Sequence, residues 1–250
     1  MSIRGGPTIT TSGLTVALDS GDAASYVSGS GTVWYDLSGN RYTASLLSLT
    51  LNGTPTTFDS NFTVQSNNLG TIYFKGNGGA AYGSVDVNTA VGGTTITRTF
   101  EAWFNSKTTG QQLILGWLGY NTGVVLAGGS IRLWNFVRSG DNTQYLNFHV
   151  VGPTYTTGSW YHVVNVLSST KSQMYVNGNF YAETAVTDFS FFLSGPYKVG
   201  GTYYILGTNP AEYQYDAANA EIPIARIYNR GLSAAEVLQN YAAQKARFGG

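Results

Sequence analysis

From Leu14 to Arg226 the chain repeats one grammar, in which short runs of β-forming residues are interrupted by clusters of Gly, Asn, Ser or Thr. That is the pattern of an all-β sandwich or barrel. The runs predict strands at Leu14–Leu18, Thr71–Lys75, Arg98–Asn105, Gln112–Trp117, Gly123–Leu126, Ile131–Phe136, Gln144–Val151, Trp160–Leu167, Gln173–Val176, Asn179–Thr184, Lys198–Val199 and Ile222–Tyr228. Val176-Asn177-Gly178-Asn179 is the sharpest hairpin, because Asn-Gly accepts positive φ at both central positions of a type I′ turn. Phe100, Ala102 and Phe104 share one face of their strand, with Glu101, Trp103 and Asn105 on the other. One face suits packing between sheets; the other, an aromatic beside polar groups, suits a binding surface or a covered face. No repeat of propeller or solenoid length is present.

The C-terminal end breaks the β pattern. Ser233 is followed three positions later by Glu236, a capping box, with Leu232 and Val237 placed for a hydrophobic staple. A helix is predicted from about Ala234 to Ala246, packing through Val237, Leu238 and Tyr241. Residues 1–12, rich in Gly, Thr and Ser, read as an extended arm or a frayed terminus, and residues 13–250 as one domain.

Several function classes do not suit this composition. Thirteen basic residues balance thirteen acidic ones and are scattered, so the positive stripe that nucleic acid requires is missing. No apolar run of about eighteen residues predicts membrane insertion. Met1-Ser-Ile-Arg-Gly-Gly-Pro7 has no apolar h-region, so synthesis without a signal peptide is expected. The absence of Cys removes disulfides, thiolate metal sites and Cys nucleophiles.

The motifs Gly13-Leu-Thr-Val-Ala-Leu-Asp19, Trp34-Tyr-Asp-Leu-Ser-Gly-Asn40, Ile72-Tyr-Phe-Lys-Gly76, Phe100-Glu-Ala-Trp-Phe104, Ser159-Trp-Tyr-His-Val-Val164, Met174-Tyr-Val-Asn-Gly178 and Ala225–Val237 occur in one order along the chain. Together they resemble a laminin-G-like domain of the concanavalin A-like lectin and glucanase superfamily. The resemblance implies an all-β jelly-roll sandwich of two antiparallel sheets with one short C-terminal helix. The opening and ending are also similar to domains in structural proteins of tailed bacteriophages, including those of cyanobacteria, which implies a place on a virion surface. Two departures remove carboxylates from a family calcium site: Asn177 stands where Asp usually precedes Gly in the hairpin, and Lys75 where Asp often follows the Tyr-Phe strand.

Retaining glucanases need two carboxylates about 5 Å apart. The five Glu, at positions 101, 183, 212, 221 and 236, are isolated from one another, and no Glu-x-Asp-x-Glu segment occurs, so no enzyme is expected. His149 and His162 lie inside predicted strands and read as structural. Asp19, Asp22, Asp36 and Asn40 offer oxygen ligands for one calcium ion. The competing reading, favoured here, has Asp36 and Asn40 bonding backbone groups of their own turn. No other metal or cofactor is expected.

Glycan binding would use aromatic faces and amides. Trp103, Trp117, Tyr120, Trp134, Asn135 and Tyr155 are candidates; Trp34, Trp103 and Trp160 match family positions expected in the core, and of the others Trp117, Tyr120, Trp134 and Asn135 are preferred for their loop-adjacent setting. Tyr203, Tyr204, Tyr213 and Tyr215 flank a Gly- and Asn-rich loop and read as a protein interface, with virion subunits or another copy of the chain as partner. The expected function is a non-enzymatic virion surface protein, a capsid decoration or tail-fibre module, with weak multivalent binding to host glycans. The alternatives are a purely structural cement or adaptor and a polysaccharide hydrolase.

Overall fold

The computed structural model describes residues 8–26, 33–48, 62–64, 70–75, 81–86, 97–117, 122–138, 145–185, 203–206 and 218–249. The strands among them are β1 (Leu14–Asp19), β2 (Val33–Tyr35), β3 (Thr43–Ser48), β4 (Phe62–Val64), β5 (Gly70–Lys75), β6 (Ala81–Asp86), β7 (Arg98–Ser106), β8 (Gln112–Trp117), β9 (Thr122–Ala127), β10 (Ser130–Arg138), β11 (Tyr145–Thr154), β12 (Trp160–Leu167), β13 (Lys171–Val176), β14 (Asn179–Ala185), β15 (Tyr203–Leu206) and β16 (Asn219–Tyr228). One helix, α1 (Ala234–Gln244), tightens into a 3-10 turn at Lys245–Phe248. The predicted strands coincide with observed ones to within a few residues, except Lys198–Val199, which lies outside the described residues.

The strands form two antiparallel sheets. Sheet A runs β14-β13-β12-β7-β16-β5-β4, and β1 follows β5 end to end along the same side of β16. Sheet B runs β11-β10-β9-β8-β15-β6-β3-β2. Alternation decides which residues meet between them. Phe100, Ala102 and Phe104 of β7 and Ala225 and Ile227 of β16 face Ile114, Leu115, Val124, Leu126, Ile131 and Leu133 of sheet B, all buried in one core with Trp34 and Phe74. Each large apolar side chain so enclosed contributes about 1.5–3 kcal/mol.

Asn177 and Gly178 adopt φ of 50° and 79°, as a type I′ turn requires, and β13 and β14 pair directly across it. The glycine has a second reason. A Cβ there would stand 2.8 Å from the Tyr241 ring, so the hairpin tip is seated against α1.

The capping box forms: Ser233 N–H donates to Glu236 Oε2 at 2.9 Å, and Glu236 N–H to Ser233 Oγ at 3.3 Å. Leu232 and Val237 pack together with Tyr228, Val164, Val166 and Tyr175 on the outer face of sheet A. Leu238 corrects the expected packing face, for it is 50% exposed. The side facing the sheet runs through Val237, Asn240 and Gln244, and one step of about 100° from Val237 carries Leu238 to solvent. The helix ends earlier than predicted, and the tighter turn brings Phe248 within 4.2 Å of Trp103, ring centre to ring centre.

The segment before β1 is held down rather than extended away. Thr10 N–H donates to Asn240 Oδ1 at 2.8 Å, Tyr228 Oη donates to Thr10 O at 3.1 Å, and Gln239 donates to Thr8 O. Residues 1–7 of the expected arm lie outside the described residues.

Candidate functional site

The outer face of sheet A carries the densest chemistry among the described residues. Glu101 stands directly opposite Arg226 across β7 and β16, with Arg226 Nη1 at 2.6 Å from Glu101 Oε1. His162 Nε2 lies 3.1 Å from the same oxygen, and Asn240 Nδ2 donates to Oε2 at 2.7 Å. Burial pushes the Glu101 carboxyl up, but Arg226, His162 and Asn240 outweigh it and bring it to about 2. Carboxylate, imidazole and guanidinium in contact would serve acid–base chemistry if a substrate reached them. None can, since Glu101 and His162 are wholly buried and Arg226 is 2% exposed beneath α1. The cluster anchors the helix. Trp103, one of the glycan candidates, is closed in the same way by Phe248 and Tyr241.

Past Phe248 the same face carries a polar row flanked by two aromatic residues. Tyr73, Glu221, Asn105 and Trp160 stand opposite one another on β5, β16, β7 and β12. Lys107 Nζ bonds Glu221 Oε2 at 2.8 Å and Asn105 Oδ1 at 3.3 Å. Glu221 and Asn105 are buried, Tyr73 and Trp160 half-buried. The members of this row lie on separate strands, far apart in the sequence, and its one local trace is the alternation that puts Asn105 on the face opposite Phe104.

The remaining described Glu are also paired. Glu183 meets Lys171 at 3.0 Å and Glu236 bonds Arg230, so each described Glu has a cationic partner, and Glu212 lies outside the described residues. Tyr155, another glycan candidate, is 6% exposed and spends its hydroxyl on Thr108 O.

Calcium does not fit the residues suggested for it. Asp19 grips Arg247 with both oxygens, at 2.7 and 2.9 Å, so a cation already fills that place. Asp36 accepts from Ala17 N–H, Ser38 N–H and Ser38 Oγ, and Asn40 Nδ2 turns away to Thr15 O. Asp22 accepts from Ala24 N–H in a local turn. Among the described residues no group of three or more His, Asp or Glu is gathered to hold a metal ion.

The aromatic candidates divide between rows of sheet B. Trp117 pairs with Tyr204 and Thr122, and its row continues through Val85 to Ala44 and Trp34, which lie in the core. Asn135 joins that row through Thr122. Trp134 occupies the alternate row, opposite His149 on one side and Gly123 on the other, and Gly123 pairs in turn with Gly116. Tyr203 and Tyr204 are neighbours on β15, inside sheet B between β6 and β8. Tyr120, Tyr213 and Tyr215 lie outside the described residues.

A laminin-G-type family model, described as concanavalin A-like lectin/glucanases superfamily, matches residues 76–238. The chain belongs to this superfamily. Solved structures resemble this concanavalin A-like domain in fold. The binding domain of botulinum neurotoxin serotype D is 13% identical at a TM-score of 0.62, over 94% of this chain and 52% of that one. The binding domain of botulinum neurotoxin DC in complex with rat synaptotagmin II is 10% identical at 0.59, over 92% and 51%. A Trypanosoma rangeli sialidase mutant displaying trans-sialidase activity is 15% identical at 0.58, over 95% and 34%. The concanavalin A-like chain thus spans about half the length of the toxin domains and a third of the sialidase. No curated protein matches it in sequence. Binding domains and enzymes both occur among these neighbours, so the fold leaves activity to the sites.

Proposed function

We propose that this concanavalin A-like domain is a non-enzymatic recognition module on the surface of a bacteriophage particle, as a capsid decoration or tail-fibre part, where it engages host-surface glycans. Trp134 carries the reading. It stands on the row of sheet B alternate to the one that leads to Ala44 and Trp34 in the core, and its own row continues into Gly123 and Gly116. Gly123 is fixed there because a Cβ would meet Leu115 O at 2.2 Å. An aromatic suits the flat, CH-rich face of a sugar ring. The pairing of every described Glu with a cation supports binding over hydrolysis, which needs two carboxylates flanking an open space. Millimolar contacts suffice when many copies stand on one particle, since effective concentration turns them into firm attachment. A glycan array tests the reading: binding lost in Trp134→Ala supports it, and silence across host polysaccharides rejects it.

A further inference from the structure

Main-chain groups hold the segment ahead of β1. Gln239 donates to Thr8 O, Thr10 N–H donates to Asn240 Oδ1 at 2.8 Å, Tyr228 Oη donates to Thr10 O at 3.1 Å, and Arg230 Nε donates to Ser12 O at 2.9 Å. Every second residue from Thr8 to Ser12 is thus met by a side chain of β16, of α1 or of the turn between them, so the backbone carries the binding, as in strand addition. The socket is built in advance. Asn240 is wholly buried and fixed from its other end, where Nδ2 donates to Glu101 Oε2 and to Tyr228 Oη. Burial and then the Glu101 carboxylate raise the Tyr228 phenol, which keeps it a donor for Thr10 O. An emptied socket would bury Asn240 Oδ1 without its donor, which favours refilling. The segment itself joins the sandwich through one turn. Leu14 N–H donates to Thr11 O at 3.1 Å, and Gly13 holds φ at 73°. A change of backbone angles at that glycine swings residues 8–12 away while β1 stays paired with β16.

We propose that residues 8–12 are an exchangeable arm, and that the socket formed by Tyr228, Arg230, Gln239 and Asn240 takes the same arm from a second copy of the chain. The contacts decide the partner. They are identical whether the arm arrives from its own chain or from another, so every copy offers both halves of the interface, and reciprocal exchange closes a two-fold dimer. Reach decides how the copies meet: five extended residues span about 17 Å, so the two sockets face each other and α1 of one copy lies near α1 of its partner. Within one chain the short tether holds the arm at high effective concentration, so exchange grows as copies are crowded together. The inference stands apart from the glycan reading, since it links copies through the outer side of sheet A, whereas Trp134 lies on sheet B.

The chain has no Cys, so introduced thiols report the contact without background. Thr8 and Gln239 are both exposed. Full-length Thr8→Cys and Gln239→Cys chains are mixed at rising concentration, warmed so that arms exchange, and treated with a short bis-maleimide. Exchange predicts a cross-linked heterodimer about tenfold more abundant than from Thr8→Cys mixed with Glu183→Cys, which carries its thiol at an exposed position of β14. A chain with both Thr8→Cys and Gln239→Cys should close on itself when dilute and join copies when concentrated. Closure within the chain at every concentration, with no heterodimer above the control, overturns the proposal. Sedimentation of the wild-type chain gives a reading that needs no variant. A dimer that grows with concentration and returns to monomer with excess synthetic peptide of residues 8–13 supports exchange; a monomer throughout, or a dimer indifferent to the peptide, rejects it. No glycan enters either measurement, so failure here leaves the reading of Trp134 untouched.

Discussion

Asn240 Nδ2 lies 2.7 Å from Glu101 Oε2, and the same side chain accepts from Thr10 N–H through Oδ1, so one buried amide joins helix, sheet and N-terminal segment. Asn240→Leu leaves a buried N–H and a carboxylate oxygen short of partners. The expected cost is about 2–4 kcal/mol. Urea unfolding measures it, and a midpoint equal to wild type would contradict the role assigned to Asn240.

Glu101 also sets an acid limit. Its carboxyl is held at about 2 in the fold against 4.5 when free, so its contribution to stability is complete above 4.5 and is lost as pH falls towards 2. Thermal midpoints should therefore drop across that window. Glu101→Gln leaves the Arg226 guanidinium buried without its counter-charge, which costs about 3–5 kcal/mol near neutral pH. It should also make the acid slope shallower without abolishing it. Glu236, brought to about 2 by Arg230 and Ser233, titrates in the same window.

Gly178→Ala meets two obstacles, a φ of 79° and the Tyr241 ring at 2.8 Å. A loss of about 1–3 kcal/mol is expected by thermal or chemical denaturation. Asn177→Gly tolerates the turn but gives up the acceptor that holds His162 N–H at 3.0 Å, and should cost less.

Adjacent positions of α1 should behave oppositely. Val237 is wholly buried, so Val237→Ala is expected to cost about 1–3 kcal/mol, whereas Leu238→Ser at a half-exposed position should stay within about 0.5 kcal/mol of wild type. Comparable losses at both positions would mean that the helix lies on the sheet through a different face.

Residues that act locally could be read directly. Ser233 and Glu236 form their cap, Asn177-Gly178 forms its turn, and the alternation of Phe104 with Trp103 and Asn105 separates core from outer face as expected. Strands that owe their existence to neighbours could not. Thr43-Ala-Ser-Leu-Leu-Ser48 and Ala81-Tyr-Gly-Ser-Val-Asp86 are rich in small residues with weak β preference, and they are strands because they pair with each other. Asp19 illustrates the same limit for chemistry. In sequence it is a free ligand near Asp22 and Asp36, yet its partner, Arg247, comes from the far end of the chain. The row from Tyr73 to Trp160 likewise exists only once four registers are known.

The pairing of Leu14 with Tyr228 has a mechanical side. The chain enters β1 and leaves β16 at the same end of their ladder, so a pull between those points would load the rungs one after another, from Leu14 inward, rather than all together in shear. The grip of Asn240 and Gln239 on Thr10 and Thr8 stands ahead of the first rung. It acts as a latch, and tension along the chain must open it before the sandwich can be peeled.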